Sequence, residues 1–595
     1  MAFRSYSTKS PKLNVIAVAI LFGILAGFGL SSIGSFGPPL KSSQEFLPAS
    51  IVIIPDDVPA TNPQSHQSTE TQLNLDELQD MVAKTNGFYA RDYSLWLGWN
   101  NMRYIIETAL LHGRILNRTT IIPSFVYARA CEFDIHTCAA WASMVNRNDA
   151  VNSDEWRTLP IEQQMAWRIP ISLMFNLSHI RETHSVVTVS EYLRLHNISD
   201  SVETGPGYWD VGSYHHISSS GEREPSLRVI TNDWYDPGDI VRVDRIPDDM
   251  RGRGGWTPEG GDRSHARVGT WNTAVDTPLY HALMGALPSS GWPVLSWRDV
   301  RRIVQDDEHI TSQSADEEIR EVLEENGFEA VYTYDGAAGM DAVKDVALPI
   351  LEAIPRERIQ GLYEDFGQVS EKVLLLQGEI HWARKPGSLF FTTSASRSRF
   401  TQTVLYDMRL RENIIKLAWI LRERMLAIND GRLWMGGHMR RGDFVRLQWA
   451  MEGDFRAHLT RIKRHLDEGR RVLESIHGGS VTTYDVPDAK PDLSVVYLDP
   501  PLPGDKYYIA TDERNPDNLA YLREQGAVLI TDLITTDDRR EFGWSIMLTD
   551  VLALLEQALL SHAAYFYAHA FSSVAGGVMN LRASAGADPR TAKLE

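Results

Sequence analysis

The sequence predicts an α/β protein whose C-terminal part is a parallel, Rossmann-like sheet, tethered to a membrane by one N-terminal helix. Three observations carry that prediction. Apolar strands with polar tips, each followed by an amphipathic helix, recur through residues 401–595; a helix-then-strand unit lies near residue 100; and residues 15–33 form an uncharged apolar run.

The N-terminal run is long enough to cross a bilayer as a helix. Arg4, Lys9 and Lys12 precede it, and the next basic residue is Lys41. The positive-inside rule then gives a cytosolic tail at 1–12, an anchor at 13–33 and a luminal remainder, as in a single-pass type II protein. A cleaved signal peptide is the alternative, but the run exceeds a usual h-region and no cleavage site is clear beyond Ser31, Ser32 and Gly34. Residues 34–84 are rich in Pro, Ser, Thr, Gln and Asp and read as a flexible stem.

Composition narrows the class of the body. With 595 residues, 43% of them hydrophobic, the chain is globular and too long for one core. Its 59 basic and 78 acidic residues give a net charge of −19, which argues against a nucleic-acid partner. The only cysteines, Cys131 and Cys138, form one small disulfide loop in an oxidising lumen or stay as two buried thiols. Sequons at Asn117, Asn176 and Asn197 fit a luminal body.

Along the body, Met102, Ile105, Ile106, Ala109 and Leu110 share one face of a helix over 101–116, and Thr119–Ile122 is a buried strand stopped by Pro123. Residues 200–295 hold many Gly, Pro, Asp and Trp residues and read as a long irregular insertion, a lid, an acceptor surface or a plain loop. The C-terminal region alternates regularly. A helix at 408–428 leads to a strand at 432–437, and a helix near 455–468 comes next. The strand at 507–510 ends in Thr511-Asp512-Glu513. Helix 516–525, strand 528–530, helix 545–560 and strand 565–567 complete the set.

Three motifs sit where such a fold binds ligands. His438-Met439-Arg440-Arg441-Gly442-Asp443 leaves a strand tip, and an arginine there suits a pyrophosphate and the charge that grows on a departing diphosphate. In an unplaced loop the same residues would be surface ion pairs. Phe571-Ser572-Ser573-Val574-Ala575-Gly576-Gly577 sets hydroxyls and small residues at a helix start, which binds anions or is simply capped. Gly98-Trp99-Asn100-Asn101-Met102-Arg103 opens the first helix of the body, as a cap or as a polar turn facing a sugar or phosphate.

In their order these motifs resemble the protein O-fucosyltransferase superfamily, which includes the α1,6-fucosyltransferases. The Arg-Arg-x-Asp form is closest to the latter, and residues 556–573 match the family's helix end, strand and Ser-Ser without a gap. The resemblance covers about 87–140 and 405–585. It implies a GT-B-like architecture, with Rossmann-like domains at 85–400 and 401–595 facing a cleft that holds GDP-fucose, and no essential metal; the sequence has no Asp-x-Asp pair. By the same resemblance Arg440 stabilises the GDP leaving group, Asp443 orients the arginines, and His438 and Arg441 lie by the donor. Ser572 and Ser573 bind the diphosphate, and Asn101 meets donor or acceptor. Glu556 stands where the family reads guanine with an Asp, and Gln448 stands where the α1,6 enzymes have a Glu. Glu452, Asp454 and Asp92 are the candidate bases.

The expected activity is inverting transfer of fucose from GDP-fucose to a hydroxyl of a protein or glycan in the Golgi or ER. A transferase for another nucleotide sugar and a non-catalytic luminal glycan-binding protein are the alternatives.

Overall fold

Two five-stranded parallel sheets organise the chain. The computed structural model describes residues 73–146, 164–231, 240–261, 267–289, 292–306, 311, 315–337, 343–378, 389–446 and 448–595. The anchor expected at 13–33 and residues 34–72 of the expected stem lie outside these residues; the rest of that stem is not flexible chain but holds the helix Leu75–Val82, capped by Asn74 and burying Leu78. Among the described residues no helix is long and apolar enough to cross a membrane.

The first sheet contains β1 (Phe88–Arg91), β2 (Thr119–Ile122), β3 (Val186–Thr188), β4 (Leu227–Ile230) and β5 (Val373–Leu376), in the order β3-β2-β1-β5-β4. Every neighbouring pair is parallel. β1, β2 and β5 are buried along their whole length, as a sheet covered on both faces requires. Helix α1 (Trp99–Ile115) carries the chain from β1 to β2 and buries Met102, Ile105, Ile106, Ala109 and Leu110, the face its spacing predicts. It ends at Leu116, and Asn117, at φ 52°, turns the chain into β2.

The second sheet contains β6 (Met435–Met439), β7 (Tyr507–Thr511), β8 (Ala527–Val528), β9 (Tyr565–Ala568) and β10 (Ala592–Leu594), in the order β8-β7-β6-β9-β10, again all parallel. Helix α2 (Glu412–Ile428) precedes β6, α3 (Phe455–Ile476) follows it, α4 (Thr549–Ser561) precedes β9 and α5 (Ser573–Ser584) follows it. Helix α3 packs on β6 and β9 over a core of Leu459, Ile462, Leu466, Ile509 and Tyr565. A larger apolar cluster runs from Tyr89, Trp99 and Phe175 through Phe400 and Leu405 to Leu417, Leu555 and Phe566, so both sheets lean on one core.

Residues 200–295 differ from the irregular insertion expected of them. Leu227–Ile230 is a strand of the parallel sheet, and the excursion runs from its end to β5. It contains Val241–Val243 paired with Ile359–Gly361, and an antiparallel sheet of Leu295–Ser296, Pro349–Pro355 and Phe328–Tyr334. Helices Pro278–Ala286, Trp297–Asp306 and Asp316–Glu325 cover that sheet with their own core of Leu283, Val300, Ile319 and Phe328.

Cys131 and Cys138 are joined in a disulfide, with Cα atoms 6.5 Å apart. The loop they close docks on the start of α4: the Glu132 N–H donates to the Met547 carbonyl at 2.9 Å and the Thr549 N–H to the Ala130 carbonyl at 2.9 Å. Asn117 and Asn197 are exposed, both at turns of positive φ. Asn176 is half-buried and caps the helix Leu177–Thr183 by accepting from the His179 N–H.

Candidate active site

The strand order of the second sheet reverses between β6 and β9. In an open parallel sheet the ligand crevice opens outside the carboxyl ends at such a reversal. Residues 440–443 leave β6 and residues 569–573 leave β9, and the register sets His438, one residue before the end of β6, beside Ala568. Two of the three sequence motifs therefore emerge side by side from one sheet edge.

Arg440 is the first residue past β6. Its side chain is 29% exposed, lies over the Phe444 ring and donates from Nη1 to Asp512 Oδ2 at 2.6 Å. Asp512 stands at the tip of the neighbouring strand β7 and also accepts the Arg441 N–H at 2.7 Å. Its carboxylate fills the space a Cβ on residue 442 would need, which is why glycine follows the arginine pair. Asp512 thus orients Arg440. Asp443 lies in the short helix Gly442–Arg446, and its side chain is outside the described residues.

Arg441 turns away from the donor role expected of it. It is buried, and its two Nη atoms donate to the carbonyls of Glu452 at 2.9 Å and Gly453 at 3.0 Å. Its guanidinium stacks over Phe455 at 5.5 Å. The pair divides its work: Arg441 fixes the loop, and Arg440 stays part-exposed at the strand tip, held by Asp512.

His438, His458 and His569 are buried beneath the strand tips. Burial, with the Arg440 charge and the other two imidazoles, pushes His438 down to about 3, so it is neutral at physiological pH. His569 Nδ1 accepts the Phe571 N–H at 3.0 Å, which leaves Nε2 to donate to the Trp449 carbonyl at 3.0 Å. This histidine shapes the turn into α5.

Ser572 is the N-cap residue of α5, yet neither it nor any other side chain caps that helix. Ser572 is buried and Ser573 half-buried. A twelve-residue helix with an uncapped N-terminus presents backbone N–H groups and a positive dipole end at the carboxyl edge of the sheet. Ordinary capping, the alternative for this motif, does not describe these serines.

The third motif reaches α5 from the first sheet's side. Asn100 Oδ1 accepts from Gln557 Nε2 at 2.9 Å, and a Cβ on Gly577 would overlap Gln557 Oε1. Asn101 is half-buried one residue further along α1. Arg103 donates to the Lys344 carbonyl at 2.7 Å, and that oxygen lies 2.5 Å from where a Gly576 Cβ would be. Gly577 is small so that Gln557 of α4 can seat against α5, and Gly576 so that the Lys344 segment can.

Lys344 is a site residue that the sequence does not suggest. It is buried, its Nζ donates to the Ala570 carbonyl just before α5, and it lies 5.9 Å from the Phe571 ring centroid. Burial lowers its amine to about 8 against the pull of Asp345. Its place in the site is a long-range effect: nothing near 344 in the sequence marks it.

Glu556 on α4 accepts from the Tyr508 hydroxyl at 2.9 Å. Burial, reinforced by the charges of Glu132 and Asp512, raises its carboxyl to about 8. The carboxylates considered as bases are occupied. Asp92 is buried, accepting from the Trp209 N–H at 2.8 Å and the Gly378 N–H at 2.7 Å. Glu452 pairs with Arg461 at 3.3 Å. Asp454 caps α3. Among the described residues no group of three His, Cys, Asp or Glu side chains could hold a metal ion.

No protein family and no curated protein matches the chain. Solved structures similar to it include POFUT1 in complex with GDP-fucose, 11% identical over 86% of this chain and 98% of that one, at a TM-score of 0.30. POFUT1 in complex with GDP gives 11%, the same coverages and 0.32. NodZ alpha-1,6-fucosyltransferase soaked with GDP-fucose gives 13% over 35% of this chain and 51% of that one, at 0.20. Likeness at this level of identity and superposition decides neither fold nor activity.

Proposed function

We propose that this chain is a metal-independent, inverting glycosyltransferase of GT-B-like architecture that moves fucose from GDP-fucose to a hydroxyl of a protein or glycan acceptor. It acts in the lumen of the Golgi or ER as a type II membrane protein. The observation that carries the reading is the shared edge: Arg440 leaves β6 and the uncapped start of α5 follows β9, on either side of the sheet's reversal.

A diphosphate in that crevice takes the N–H groups at the start of α5 and the hydroxyls of Ser572 and Ser573 as donors. Lys344 adds a charge from the other side, and Arg440, held by Asp512, meets the β-phosphate. In the reaction the bond from the anomeric carbon to the phosphate oxygen breaks, with its electron pair leaving on GDP. The acceptor oxygen bonds that carbon from the opposite face and gives its proton to water. The residues are arranged around the leaving group, so transition-state stabilisation falls on the departing charge. The exposed rings of Trp449 and Phe571 give the sugar and acceptor an apolar flank.

Glu556 meets the N1–H and N2–H edge of guanine. With its carboxyl raised to about 8, it is protonated in the empty site at neutral pH and must ionise to accept both N–H groups. Affinity for GDP is therefore expected to rise with pH up to about 8 and to fall below it, by at most about tenfold per pH unit. Glu556→Gln is expected to bind GDP more weakly and without this slope, as read by calorimetry across that range.

The engagement of Asp92 and Glu452 favours a second reading, a GDP-binding protein without turnover. Calorimetry against GDP, UDP and GDP-fucose, followed by a GDP-release assay with added acceptors, separates the two. Binding of UDP in preference to GDP would defeat the donor assignment, and GDP binding without release would favour the second reading.

A further inference from the structure

Arg91 ends β1 and is 2% exposed, yet none of its three guanidinium nitrogens has a hydrogen-bond partner. A guanidinium keeps its charge at every physiological pH and offers five N–H donors. Buried charges are paired in folded proteins because the desolvation cost is otherwise uncompensated. Other buried arginines of this chain have N–H groups met by acceptors. Arg118 donates to the carbonyls of Phe88 and Glu371, Arg242 pairs with Asp365, and Arg582 donates to the Ala563 carbonyl and to Thr591. Arg91 does not.

Arg91 lines an internal space at the carboxyl end of β1 together with Tyr93, Ile121, Thr204, Tyr208 and Trp209. The segment 203–209 closes over that end and is pinned there. The Tyr93 N–H donates to the Gly207 carbonyl at 2.9 Å, and the Leu95 N–H to the Pro206 carbonyl at 3.0 Å. The space measures about 10 Å³, which admits one species about the size of a water molecule.

Neither nearby carboxylate supplies the counter-charge. Glu203 lines the same space, but its Oε1 accepts the Ser124 N–H at 3.0 Å and its charge is drawn to Arg168. Asp92 is held by the N–H groups of Trp209 and Gly378. A water molecule would satisfy donors but leave the charge unbalanced.

We propose that Arg91 holds one small monovalent inorganic anion, of chloride size, that fastens the 203–209 segment to the end of β1. Phosphate, sulfate and organic carboxylates are too large for the space. The proposal does not depend on the activity proposed above.

The test is thermal unfolding of the full-length chain in detergent, with sodium gluconate exchanged for sodium chloride at constant ionic strength. Chloride is expected to raise Tm saturably, by about 2–4 °C, with bromide acting alike and sulfate without effect. Arg91→Leu removes both the charge and the need for a counter-ion, and is expected to lose the chloride response. Should that variant fail to fold, bromide in crystals of the unaltered protein supplies an independent measurement, with an anomalous peak expected beside the Arg91 guanidinium. A Tm in chloride equal to that in gluconate, an undiminished response in Arg91→Leu, or a bromide-soaked crystal with no peak there would overturn the proposal in favour of a water bridging Arg91 to Glu203.

Discussion

Arg440→Ala is expected to lower turnover of GDP-fucose by at least about 100-fold, with Tm close to that of the unaltered protein. The size follows from the role. A charge aimed at a departing diphosphate acts most strongly where water is thin and the donor is already oriented. Asp512 does the orienting at 2.6 Å, and the Phe444 ring supports the guanidinium from one side. The fold has little at stake, because the side chain keeps 29% of its surface exposed. Arg440→Lys should recover little, since an ammonium lacks the planar fork that meets Asp512 and phosphate together. The check is kcat for GDP release, measured beside thermal unfolding. Turnover at the original level with an intact fold would remove Arg440 from the chemistry.

Gly576→Ala is expected to cost about 1–3 kcal/mol of stability and to weaken GDP binding by about tenfold. The added Cβ would lie 2.5 Å from the Lys344 carbonyl oxygen and 2.8 Å from the Lys344 Cβ. Backbone must move to relieve this, and that carbonyl is also held by Arg103 at 2.7 Å. The strain therefore falls on the seam where Lys344 and α1 meet the start of α5, the anion-binding end of the helix. Gly285→Ala is the control. It sits on an exposed stretch of the helix Pro278–Ala286 with nothing within 4 Å of its would-be Cβ, and helix propensity favours alanine there. Urea unfolding and GDP calorimetry on both variants give the comparison. Equal stability of the two would show that the seam yields freely.

Much of the second sheet is legible in the sequence because its strands are short apolar runs punctuated by polar tips. The strand predicted at 507–510 is Tyr507–Thr511 and that at 565–567 is Tyr565–Ala568, each within a residue or so. The strand after the arginine-bearing helix α2 lies later than expected, at Met435–Met439 instead of 432–437, since two glycines in its middle blur the apolar pattern. Part of the first sheet is not legible. β5 pairs with β1 across almost the whole N-terminal half, and Leu227–Ile230 is surrounded by Gly, Pro and charged residues that mask a strand. In the candidate site the same division holds. Arg440 and the serines announce themselves by their positions at a strand tip and a helix start. The work of Asp512 and Lys344 exists only through register and long-range packing. Arg441, identical to its neighbour in composition, is separated from it only by which way each side chain turns.

One apolar cluster joins Tyr89 of the first sheet to Leu555 beside the second. Helix α5 packs against α1 and against residues 403–407, and α4 packs against the strand Phe125–Ala128. Cutting the polypeptide between residues 400 and 401 would part α5 from α1 and α4 from Phe125–Ala128, so the nucleotide-binding portion alone is expected to be insoluble. With that shared core, heating is expected to melt both sheets in a single cooperative step.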